Sequence, residues 1–160
     1  MSILVSWDNL KWYKHNRGVI LREKNVLKTL QSLSNEDSIF VDVGAHIGFY
    51  AVRLAKTCKW VYAIEPNPEN AYILKKNLEL NDVHNATVYD YACGSEPSKA
   101  KIYICDTLTT LIPRKGRKTV EVEVKPLDDL VDYCSLVKID VEGFEEQVLL
   151  GSKRMIQYVK

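Results

Sequence analysis

Along the first stretch of the chain, residues 1–18, short apolar fragments mix with Trp7, Trp12, Tyr13 and His15 and sustain no period, so an arm or short strand is expected. From 19 to 33 the apolar positions Ile20, Val26, Leu27, Leu30 and Leu33 recur at spacings near three and four. That spacing predicts an amphipathic helix laid against a sheet and ended by the polar cluster at 34–38. Ile39-Phe40-Val41-Asp42-Val43 is then a short β-branched run entering glycine, as expected of a strand buried on both faces of a parallel sheet. A helical stripe follows at Phe49, Ala51, Val52, Leu54 and Ala55, and residues 60–64 read as a second strand.

The unit repeats. Asn67-Pro68-Glu69 supplies a capping side chain, a proline for the first helical position and an acid for the first turn, leading into a helix at 71–80. Residues 87–91 make a third strand. Two β-like stretches, 101–105 and 119–125, flank a polar segment with Pro113 and Gly116, which predicts a hairpin inserted at the sheet edge. A short helix at 127–133, a fourth strand at 136–141 and a helix from Glu145 to the chain end complete the series. Such alternation predicts an α/β fold, a mostly parallel sheet with helices on both faces. Residues 1–37 are expected to form an N-terminal arm and helix, and 38–160 the ligand-binding domain, within one compact unit.

Composition changes this picture little. With 160 residues, 46% hydrophobic and 27% charged, the chain has the make-up of an ordinary globular domain. The 22 lysines and arginines against 21 acids create no field that would draw a polyanion, so nucleic acid is not the expected partner. The basic run Arg114, Lys115, Arg117 and Lys118 reads first as a solvated turn and second as an RNA contact. Cys58, Cys93, Cys105 and Cys134 lack zinc-binding spacing; no metal is expected, and the thiols read as small core residues. The start lacks a signal-peptide pattern and no run has the length of a membrane span, so a cytoplasmic address without membrane attachment is expected.

The chemistry concentrates where the first strand hands over to its helix, at Asp42-Val43-Gly44-Ala45-His46-Ile47-Gly48. In open α/β sheets ligands bind at the carboxyl ends of the strands, and glycine there lets backbone approach a ligand. The same glycines also permit a tight turn and close helix packing. Glu65, at the end of the next strand, adds a carboxylate able to accept from both hydroxyls of a ribose. Nicotinamide and S-adenosylmethionine (SAM) enzymes share these features, but His46 stands at the second glycine position of the dinucleotide fingerprint and Phe49 at the third. SAM brings no phosphate to cradle, and Asp42 beside the loop suits a cationic ligand better than an anionic one. The loop favours SAM as cofactor.

Taken together, Phe40-Val41-Asp42-Val43-Gly44-Ala45-His46-Ile47-Gly48-Phe49-Tyr50, Ala63-Ile64-Glu65-Pro66-Asn67-Pro68 with Leu78-Glu79-Leu80-Asn81, Pro126-Leu127-Asp128-Asp129-Leu130, and Val137-Lys138-Ile139-Asp140-Val141-Glu142-Gly143-Phe144-Glu145 resemble, in order, the motifs of FkbM-family methyltransferases. The resemblance spans 38–152 and implies a Rossmann-like class I methyltransferase fold. It further implies that Gly44, Ala45, His46 and Gly48 hold the methionine part of SAM, with Asp42 beside them. Glu65 then binds the ribose, and Pro66, Asn67 and Ala92 border the adenine. Proline and asparagine at 66 and 67 equally suit the entry to a helix.

Asp140 and Glu142, at the end of the fourth strand, are the candidate catalytic residues. One could face the sulfonium while the other takes the proton of an acceptor hydroxyl; equally, both could cap the helix that follows. Methyl transfer is an in-line displacement at an activated carbon, so positioning can supply much of the rate and no protein nucleophile is required. His46 is either a base or a backbone-binding turn residue. The resemblance implies O-methylation of a sugar or other small molecule. The other readings are a noncatalytic SAM-binding or assembly module, an RNA methyltransferase and an NAD-dependent oxidoreductase. Trp7, Trp12 and Tyr13 either dock the arm or offer a sugar-stacking surface. The stretch after Val141 is too short for the remaining strands of the class, so the fourth strand is expected to need cover from the arm, the central hairpin or a second copy of the chain.

Overall fold

A computed structural model describes residues 3–13, 24–105 and 108–159. Its centre is a four-stranded parallel sheet of β3 (Ile39–Val43), β4 (Trp60–Ile64), β5 (Ala86–Tyr89) and β10 (Leu136–Ile139), in the order β10-β3-β4-β5. The chain therefore starts in the middle of the sheet, steps outward through β4 and β5, and returns to the other side of β3. The alternation along β3 sorts its side chains: Phe40 faces one layer, while Val41 and Val43 face the other.

The first layer holds α1 (Lys24–Leu33), α2 (Phe49–Leu54) and α3 (Pro68–Leu80), joined through Leu27, Leu30, Val52, Leu54, Leu74 and Leu78. The second is thinner and contains α4 (Leu127–Leu130), α5 (Glu145–Leu150) and a 3-10 turn at Met155–Tyr158. Cys58 belongs to the first core and Cys93 and Cys134 to the second, all three as buried free thiols. Among the described residues no helix is long and apolar enough to cross a membrane.

Several boundaries move. Of the helix expected at 19–33, residues 19–23 lie outside the described residues, and the rest is α1. The third and fourth strands stop at Tyr89 and Ile139, short of the expected 91 and 141, because the chain leaves the sheet there to form a crevice. The helix from Glu145 ends at Leu150, where Gly151 packs so closely on the Gly94 carbonyl that a Cβ would sit 1.9 Å from it.

The central hairpin is larger than expected and does not extend the parallel sheet. β7 (Ser98–Cys105) and β9 (Lys118–Lys125) pair antiparallel, β8 (Leu108–Thr110) adds to β7, and β6 (Ala92–Cys93) runs parallel to β9. Ala92, Ile102, Val122 and Val124 give this second sheet a core of its own. The arm forms a third, two-stranded sheet from β1 (Ile3–Val5) and β2 (Lys11–Tyr13). Neither small sheet pairs with β10, whose outer edge has no strand beside it among the described residues.

Candidate functional site

Gly44 ends β3 at φ +81°, and a Cβ there would lie 1.9 Å from the Asp140 carbonyl oxygen, so conformation and space both require glycine. The amides of Gly44 and Ala45 donate to the Ile64 carbonyl at 3.0 Å each, pinning the turn to the end of β4. His46, also left-handed at φ 52°, then turns its amide onto Glu65 Oε2 at 2.8 Å. Gly48, at φ +90°, caps α2 with Leu74 against the place a side chain would take.

Glu65 is 3% exposed. Its Oε1 accepts from the Asn67 amide at 2.9 Å and from Asn70 Nδ2 at 3.4 Å. Burial pushes its carboxyl up to about 7, against the amides of Asn67 and His46, which favour the charged form.

On the far side of β3, β10 carries Lys138 in register with Asp42. Asp42 is fully buried, and neither of its oxygens has a hydrogen-bond partner among the described residues. Its compensation is the Lys138 ammonium, 3.6 Å from Oδ1. Burial raises the Asp42 carboxyl above the ordinary carboxylate range, opposed by Lys138. Lys138 also reaches Asp140 Oδ2 at 3.3 Å and lies 5.0 Å from the centre of the Tyr50 ring.

Between these walls lies a cavity of about 220 Å³ at the carboxyl ends of the parallel strands, beside the point where the strand order reverses. The second sheet forms its roof through Ile102, Thr109, Thr110 and Leu111. This roof is tied to both rims: Asn67 Nδ2 donates to Thr109 Oγ1 at 3.1 Å, and Thr110 Oγ1 donates to the Glu142 carbonyl at 2.9 Å.

Of the residues singled out from sequence, Gly44, Ala45, His46, Glu65, Pro66, Ala92, Asp140 and Glu142 line this one cavity. Asp42, Gly48 and Asn67 lie outside its lining. Asp42 is beneath the wall, Gly48 starts α2, and Asn67 caps α3 by accepting the Glu69 amide at 3.1 Å. Asp140 and Glu142 do not cap α5. The start of α5 has no side-chain cap, and Glu145 in its first turn reaches back to the amides of Gly143 and Val141, at 3.1 and 3.2 Å, which hold its carboxyl below the usual range. Trp12 is completely buried and docks the arm, whereas Trp7 is exposed.

The sequence reading missed Lys138, Tyr50 and the roof threonines. A lysine inside the apolar strand Leu136-Val137-Lys138-Ile139 was a legible signal. Nothing local marked Thr109 and Thr110, which arrive through the fold of the second sheet.

Comparison with known proteins adds a family. Residues 42–159 match the model of the methyltransferase FkbM domain. The hexuronic acid methyltransferase AglP of Haloferax volcanii is 31% identical over 147 residues, covering 86% of this chain and 59% of that protein. The methyltransferase FkbM from Methylobacillus flagellatus superposes with a TM-score of 0.56 at 21% identity, over 80% of this chain and 36% of that one. A precorrin-6Y C5,15-methyltransferase from Geobacter metallireducens gives 0.57 at 17% identity, over 90% and 61%. These two superpositions establish the class I methyltransferase fold. The chain spans about three fifths of the length of the curated relative AglP.

Proposed function

The chain belongs to the FkbM methyltransferase family, whose members use SAM, and on that premise we propose that its crevice binds SAM and directs the methyl group to a hydroxyl of a sugar or other small molecule. The observation that carries the reading is Glu65: a carboxylate buried at a strand end, with the His46 and Asn67 amides on its two oxygens, beside a turn that only glycine can make. Oε2 accepts from His46 alone among the described residues and retains acceptor capacity for a hydroxyl of a ribose, while a second hydroxyl would take the place of the long Asn70 contact on Oε1. Pro66 and Ala92 border the space next to it, where an adenine would lie against apolar atoms.

Bound SAM would supply a methyl carbon already activated by its sulfonium. The protein's part is to orient that carbon, exclude water beneath the roof and receive a proton. Asp140 and Glu142 occupy the β10 end of the crevice, and Asp140, with its side chain 50% exposed, is able to take the proton of an acceptor hydroxyl. The sugar class of acceptor rests on the hexuronic acid relative.

Calorimetric titration with S-adenosylhomocysteine (SAH) and, separately, NAD tests the cofactor. Micromolar binding of SAH alone, about −8 kcal/mol, weakened at least tenfold by Glu65→Ala, is expected. No binding of SAH, or equal binding of NAD, rejects the reading. Methyl transfer from labelled SAM to panels of glycans and of RNA then identifies the acceptor class.

A further inference from the structure

We propose that Lys138 is a positioning residue: anchored by the buried Asp42, it fixes the Asp140 carboxylate on the crevice wall facing the sulfonium end of the cofactor. The inference rests on the SAM reading above. Its basis is a chain of three charges crossing from β3 to β10. Lys138 stands in register with Asp42, and its ammonium lies 3.6 Å from Asp42 Oδ1 and 3.3 Å from Asp140 Oδ2. The lysine side chain is 12% exposed, the Asp42 side chain 0% and the Asp140 side chain 50%, so the chain runs from the interior to the cavity.

A structural ion pair would be complete with Asp42 and Lys138 alone. Buried carboxylates without hydrogen bonds require a counter-ion, and Asp42 has this one. The second contact is what points to function. Asp140 follows the last residue of β10, and its 3.3 Å contact with Lys138 sets the two side chains on the same side. An exposed aspartate samples several rotamers, and a tie to an immobilised cation selects one of them.

The charge count fits a cationic ligand. Lysine with Asp140 alone would be neutral and would offer a sulfonium nothing. With Asp42 ionised against the lysine, the cluster keeps one net negative charge, carried by its exposed member. Asp42 thus serves the site through Lys138, without lining the cavity itself.

SAM and SAH differ in the charge on sulfur, so the ratio of their affinities reports the field at that atom without any acceptor. Calorimetry on the whole chain is expected to show Asp140→Asn lowering the preference for SAM roughly tenfold. Lys138→Met combined with Asp42→Asn leaves the net charge of the cluster unchanged and should lower it several-fold, Lys138→Arg should keep most of it, and adding Asp140→Asn to the pair should be no worse than Asp140→Asn alone. Equal weakening of SAM and SAH by the pair of substitutions overturns the proposal, since a merely structural lysine does that. So does a preference that rises, or an effect that persists in the Asp140→Asn background. If the pair does not fold, Lys138→Gln with Asp42→Asn, able to hydrogen-bond across the same register, permits the same comparison. Binding of neither ligand by the unchanged protein rejects the SAM reading itself, and is distinguished by occurring before any substitution.

Discussion

Glu65 makes the folded chain a weak acid near neutral pH. Its carboxyl, ordinarily at 4.5, is lifted by burial to about 7. Between those values the folded state holds a proton that the unfolded chain has released. By linkage, its contribution to stability is full below about pH 4.5 and is lost as pH rises through 7, a decline of about 3 kcal/mol. Urea titrations from pH 5 to 8 should show that decline, and Glu65→Gln should remove it. A ribose hydroxyl donating to this carboxylate favours the ionised form, so SAH binding should release a proton and strengthen with pH up to about 7, then level off. Calorimetry in buffers of different ionisation enthalpy measures the release directly, and no proton release at pH 6 would contradict it. Glu65 and Gly44 were legible in sequence because their meaning is local: an acid and a glycine at successive strand ends. Lys138 was visible as an anomaly, but its partner was not, because the register of β10 on β3 joins residues far apart in the chain.

At the scale of elements, the arm shows why some structure leaves no periodic signal. β1 and β2 are three residues each and are held by particular side chains rather than by an amphipathic face. Asn81, which follows the last residue of α3, and Asn77 within that helix accept the amides of Lys11 and Tyr13 at 2.8 and 2.6 Å. Arg53 of α2, nearly completely buried, meets Asp8 at 2.7 Å, donates to the Phe49 carbonyl at 3.0 Å, and stacks on Phe49 and Trp12. Burial works to raise the Asp8 carboxyl, but the Ser6 hydroxyl and Arg53 together hold it below its ordinary value. This pair therefore stabilises the docked arm above about pH 4 and is lost as pH falls through the lowered value, the opposite sense to Glu65. Arg53→Met strands an acid and removes the stacking, and should cost about 3 kcal/mol. Hydrogen exchange should show β1 and β2 opening well before β3 and β4. Uniform loss of protection over the whole chain would mean that Arg53 supports the main core instead.

For the molecule as a whole, the parallel sheet could be read from its alternating elements, since each strand, helix, strand unit carries its own pattern. The sheet formed by β6 to β9 was harder to read, because alternation such as Lys118–Lys125 marks a strand without saying which sheet it joins. Its separation leaves β10 with no strand on its outer side among the described residues. The layer packed on Val137 and Ile139 of that strand exposes Leu149, Leu150 and Tyr158. A strand edge with no neighbour among the described residues, on a layer that exposes apolar side chains, favours pairing with another strand, and two copies meeting through β10 would run antiparallel about a two-fold axis. Sedimentation velocity between about 1 and 100 μM should then show a concentration-dependent dimer, the micromolar affinity expected of a modest interface. Leu149→Lys, at a site already 47% exposed, should shift that equilibrium to monomer while changing stability by only about 0.5 kcal/mol. A monomer throughout the range, or a dimer indifferent to the lysine, would mean that β10 tolerates its open edge unaided.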